Sequence, residues 1–64
     1  MKPVDETVAA LVSLLDEGLY ELWQERAAIR QYDGGQAREL AEAMAVLDVV
    51  RINPSAAFSC WTRD

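Results

Sequence analysis

The stretch Gln31-Tyr32-Asp33-Gly34-Gly35-Gln36-Ala37 decides how this chain folds, because it interrupts two segments of helical periodicity. Glycine can end a helix in the left-handed conformation without steric cost. Asp33 is placed to accept from the free amides of a following helix, with Gln36 three residues on, as in a capping box. A short turn between two helices makes an antiparallel hairpin.

Upstream of the turn, Val8, Leu11, Val12, Leu15, Leu19, Leu22, Trp23 and Ile29 recur at steps of three and four. At a helical pitch they fall within an arc of roughly 120°, one buried stripe. Pro3 followed by Asp5 and Glu6 is a helix-start signal. Gly18 costs about 1 kcal/mol relative to alanine in mid-helix, which so periodic a segment tolerates. The expectation is one helix from about 4 to 32. Downstream, Ala37, Leu40, Ala43, Met44, Leu47 and Val50 form the stripe of a second helix, about 36–51. Val46, Val49 and Ile52 point away from it, so its last turns need a second partner surface. The alternative is a strand over Val46–Ile52, since valine and isoleucine favour one.

Asn53-Pro54 closes the second helix, and the same pair can cap and start another. The aromatic tail, 53–64, is then a short third helix or an extended flap, with Phe58 and Trp61 on one side. The predicted fold class is all-α: an antiparallel helical hairpin plus this tail, in a single small domain spanning 1–64.

The chain has 64 residues, 52% of them apolar, which is too many for a disordered tail. Eleven acids against six basic residues leave a net charge of -5, without the basic footprint of a direct nucleic-acid binder. No run reaches the roughly 18 apolar residues of a membrane span, and no signal peptide is evident. A cytoplasmic protein is expected. There is no histidine and one cysteine, which excludes imidazole catalysis, an internal disulfide and a thiolate zinc cluster. No catalytic residue, cofactor site or metal site is assembled, so no enzymatic activity is expected.

A two-helix hairpin leaves its outer flanks wet, and domains of about 60 residues bury only about 60% of their unfolded surface. The surplus stripe must be covered by the tail, by a second copy in a four-helix bundle, or by another protein. The candidate partner-binding residues are Leu19, Tyr20, Leu22, Arg26, Tyr32, Val46, Val49, Phe58 and Trp61. Trp23 is assigned to the core. Arg26 lies within the apolar stripe, where its stem can follow the groove while its guanidinium meets a facing carboxylate such as Asp48, or reads an acid on a partner. Glu17, Glu21 and Glu25 form an acidic face at four-residue spacing, read either as a solvated surface or as a contact for a basic partner. Cys60, with no histidine to activate it, reads as buried and inert.

The run from Glu25 through Gly35, continuing to Arg38, Ala41 and Glu42, resembles an ERAAI-x-E-[YF]-D-G-G-x-x-R-x-x-A-E segment of small bacterial and phage mobile-element proteins. The match covers about a quarter of the chain, with Gln31 in place of the usual Glu and Gln36 in place of a frequent Leu. The resemblance implies a helical hairpin and a setting in replication, mobility or host–phage conflict; it carries over no site residue. Together these readings lead to a small, acidic, non-enzymatic protein–protein interaction module, accessory or regulatory, that binds itself or another protein. The alternative is an acidic nucleic-acid mimic that inhibits a DNA- or RNA-processing protein.

Overall fold

Asp5 opens the first helix: its side chain accepts from the Thr7 and Val8 amides at 2.8 and 3.1 Å, satisfying two otherwise free donors. The computed structural model describes residues 2–62, and among these the chain is all helical. The elements are α1 (Glu6–Ser13), α2 (Glu17–Ala28), a five-residue wide turn over Ile29–Asp33, α3 (Arg38–Ile52) and α4 (Pro54–Thr62). The helices pack against one another, and α3 touches all the others.

The long first helix expected from periodicity is therefore two helices. At the end of α1 the bonds shorten to a three-residue span, Leu14 N to Leu11 O at 3.3 Å and Leu15 N to Val12 O at 3.1 Å. Asp16 then caps α2 by accepting from the Leu19 amide at 2.9 Å. The interruption takes up about one helical turn, so the apolar phase is nearly restored on its far side. Period alone cannot detect it.

α2 ends by widening: Gly34 N donates to Ile29 O at 3.0 Å, five residues back, and Gln36 N donates to Arg30 O at 3.0 Å. Gly35 takes the left-handed conformation, with φ of 69°. Gly34 is required for a different reason, since a Cβ there would stand 2.8 Å from the Arg30 carbonyl oxygen. The expected cap of the following helix is displaced. Asp33 lies inside the wide turn, and Ala37 takes the capping position without a side-chain bond. α3 accordingly begins at Arg38 rather than near Gln36.

The segment Val46–Ile52 is helical, and the tail forms α4 over Pro54–Thr62, the tail's last two positions lying outside the described residues. Asn53 joins α3 to α4, with its amide bonded to Val49 O and its carbonyl accepting from Ala57 N. The Trp61 indole N–H donates to Leu11 O at 2.9 Å, bringing α4 back to α1. The interior holds Val8, Val12, Leu19, Trp23, Ala27, Ala45, Val46, Val49, Ala57 and Cys60. The radius of gyration, 11.0 Å, is close to the roughly 10.7 Å expected of a folded monomer of this length.

Bonds between α2 and α3 do not run in the reversed order of a regular antiparallel ladder. Trp23 meets Glu42, whereas Arg26, later on α2, and Arg30, in the wide turn that follows it, meet Asp48, later on α3. Long indole and guanidinium side chains span this contact.

Candidate functional site

α3 carries apolar side chains on both sides, and packing decides which side is internal. Ala41, Glu42, Ala45, Val46, Asp48 and Val49 are buried. At about 100° per residue they occupy one side of the helix, and Leu40, Ala43, Met44, Leu47 and Val50 occupy the other. The stripe expected to face the core is thus the outward one: Leu40 is 50% exposed and Leu47 is 59% exposed. Ala43, Met44 and Val50 are partly buried beside them, Ala43 and Val50 packing against the edge of the core. Val46 and Val49, expected to point away, point inward. The reason is size: Ala41 and Ala45 let α3 approach its neighbours closely, whereas Leu40 and Leu47 would hold them apart.

A groove of about 490 Å³ opens at the start of α3, between its first turns and those of α1. Val8, Leu40 and Ala43 line it, and Asp5 and Glu39 also stand in its wall. The outward stripe therefore runs into a concavity with acids beside it.

Apart from Arg26, the candidate partner residues divide into three groups. Leu19, Val46 and Val49 are buried in the chain's own core, so they are not available to a partner. Tyr20, Leu22 and Trp61 pack partly buried against that core. The Tyr20 ring lies 5.8 Å from that of Trp23, and its hydroxyl accepts from Gln24 Nε2 at 3.2 Å. Tyr32 and Phe58 are exposed, with Phe58 edge-on to Trp61. Glu17, Glu21 and Glu25 are all exposed along α2. Trp23 is completely buried.

Arg26 meets Asp48 at 3.3 Å, but the stronger partner is one that sequence reasoning passed over. Arg30 grips Asp48 with two bonds, Nε to Oδ2 at 2.6 Å and Nη2 to Oδ1 at 2.8 Å. The four-residue spacing of Arg26 and Arg30, which puts both on one helix face, was the available signal. The Asp48 side chain is 8% exposed, against 34% for Arg26 and 24% for Arg30. Hydrogen bonds from Arg30 hold the Asp48 carboxyl below its ordinary value of 3.8; burial opposes this, and Arg26 adds to it. Since the unfolded chain binds that proton more readily, the pairing stabilises the fold above pH of about 3.8 and is lost as pH falls through the lower, folded value. Urea midpoints measured from neutral pH down to acid should therefore fall less steeply in Asp48→Asn than in the parent. Parallel curves for the two proteins would remove Asp48 from the acid response.

A second acid, Glu42, is buried rather than part of a negative surface. Its Oε1 accepts from the Val4 amide at 2.9 Å and its Oε2 from Arg38 Nε at 3.0 Å, while Arg38 Nη2 donates to Lys2 O at 2.9 Å. The backbone carbonyl of Glu42 takes the Trp23 indole N–H at 3.0 Å. One residue thus ties the N-terminal segment, α2 and α3.

Compared with known proteins, the chain matches no family model, no curated protein and no solved structure. Among the described residues no helix is long and apolar enough to cross a membrane, and no three His, Cys, Asp or Glu side chains gather as a metal site.

Proposed function

We propose that this chain is a small acidic, non-enzymatic interaction module of the cytoplasm, accessory or regulatory, that engages a second protein or a second copy of itself. The observation supporting this is the outward apolar stripe of α3, where Leu40 and Leu47 stand exposed while Ala43 and Val50 rest on the edge of the core. α2 and α3, joined through the Gly34-Gly35 turn, serve as the supporting hairpin. Docking a helix of the partner along Leu40, Ala43, Met44, Leu47 and Val50 follows the helix-in-groove mode, with one side chain entering the groove beside Leu40. The acidic face of α2 steers a basic partner and acts chiefly on the association rate. The resemblance over Glu25–Glu42 favours a bacterial or phage accessory setting.

Leu40→Glu combined with Leu47→Glu tests this reading. Both positions are at least half exposed, so helical content and melting should be retained while self-association, read by sedimentation equilibrium, or capture of the partner is lost. A double variant that binds and associates as the parent does would refute the reading. The exposed row Glu17, Glu21 and Glu25 favours a second one, mimicry of a nucleic-acid backbone against a DNA- or RNA-processing protein. In that case neutralising the row abolishes equilibrium affinity and nucleic acid competes for the same site.

A further inference from the structure

Three of the six basic residues of this acidic chain line one cleft. Arg26, Arg30 and Arg51 surround it together with Asp48 and Ile52, in a volume of about 260 Å³. One carboxylate against three guanidiniums leaves two positive charges at the cleft, in a protein whose net charge is -5. Asp48 occupies only part of the donor set: it takes Nε and Nη2 of Arg30 and Nε of Arg26. Arg30 Nη1, both Nη groups of Arg26 and the whole guanidinium of Arg51 have no acceptor among the described residues. Asp48 also holds Arg30, and less closely Arg26, in a fixed direction, which lowers the ordering cost of binding.

We infer that this cleft binds a phosphate group, with Arg51 and Arg26 as its principal donors and Arg30 held behind them by Asp48. The argument is charge and geometry. A phosphate monoester carries about -1.5 to -2 near neutral pH and presents three acceptor oxygens, which matches two uncompensated guanidinium charges and their paired N–H edges. Ile52, 53% exposed at the edge of the cleft, supplies an apolar wall for the group that bears the ester. This site is independent of the apolar stripe of α3, so either can fail without the other.

The test is a titration of the full chain, followed by the guanidinium Nε–H resonances in nitrogen-edited NMR, at neutral pH and constant ionic strength set with sodium chloride. The probes are inorganic phosphate and a capped phosphoserine peptide. Saturable shifts at Arg26 and Arg51 are expected, with affinity about tenfold weaker in Arg51→Gln, the loss of one charge-assisted contact. Arg51 is exposed and makes no pair with Asp48, so this variant keeps the fold, which circular dichroism verifies. Equal response to both probes supports a site for the free ion; preference for the peptide supports a phosphorylated ligand. Shifts no larger than those with chloride, or an Arg51→Gln variant that titrates like the parent, would overturn the assignment.

Discussion

Replacing Trp23 with alanine is expected to unfold this protein in water at room temperature. Trp23 is completely buried and is the largest side chain in the interior. Truncating a buried tryptophan costs about 3–5 kcal/mol. Its indole N–H also bonds the Glu42 carbonyl across the α2–α3 contact, a further contribution of about 0.5–1.5 kcal/mol. A single core in a chain this short rarely provides more than about 3–5 kcal/mol in total. The loss is therefore comparable to the whole stability. Far-ultraviolet circular dichroism of Trp23→Ala should show little helix and no cooperative melt, while Trp23→Phe, which keeps most of the apolar volume, should melt at a lower temperature but still cooperatively. A cooperative transition in Trp23→Ala near that of the parent would mean that the α2–α3 contact does not depend on this ring.

Glu42→Ala is expected to be the second most damaging change, although a charged residue on a helix ordinarily tolerates alanine. The substitution strands the Val4 amide, releases Arg38 and frees the start of the chain. Breaking a fully buried ion pair costs about 3–5 kcal/mol. Arg38 is 41% exposed and can return to water, so a cost of about 2–3 kcal/mol is expected after that discount. Glu42→Gln retains an acceptor for the Val4 amide and should lose less, about 1 kcal/mol. Urea midpoints of the two variants, with hydrogen exchange at Val4, measure both effects. A Glu42→Ala midpoint matching the parent, with the Val4 amide still protected, would show that the N-terminal segment is held elsewhere.

The all-helical class was legible because leucine, valine and tryptophan recur at helical steps from Val8 to Trp23, and because Gly34-Gly35 stands between two such runs. The break at Leu14–Asp16 was not, because it spans about one turn and preserves the phase; only Asp16, a capping residue ahead of Glu17, marked it. The face of α3 was misread for a different reason. Apolar residues stand on both sides of this helix, and taking the stripe at helical spacing from Ala37 to Val50 as the core face turns Leu40 and Leu47 inward. The structure buries Ala41 and Ala45 instead, together with two acids whose cost is met by Arg38, Arg30, Arg26 and the Val4 amide. That exchange of leucine for alanine depends on how closely neighbouring helices approach, which no one-dimensional pattern records. Of the candidate site, Asp48 opposite Arg26 could be read from the sequence, whereas Arg51 joins the same cleft only through the fold.

The hydrogen bond from Trp61 to Leu11 O joins positions 50 residues apart. Closing a loop of that length costs more entropy than closing a shorter one. Opening at this latch frees α4 from α1, while the N-terminal segment stays tied to α3 through Glu42 and the α2–α3 contact stays closed. Cys60 is buried on the releasing side. The rate at which a thiol reagent modifies it therefore reads the frequency of that opening, making the lone sulfur an internal clock for the breathing of the fold.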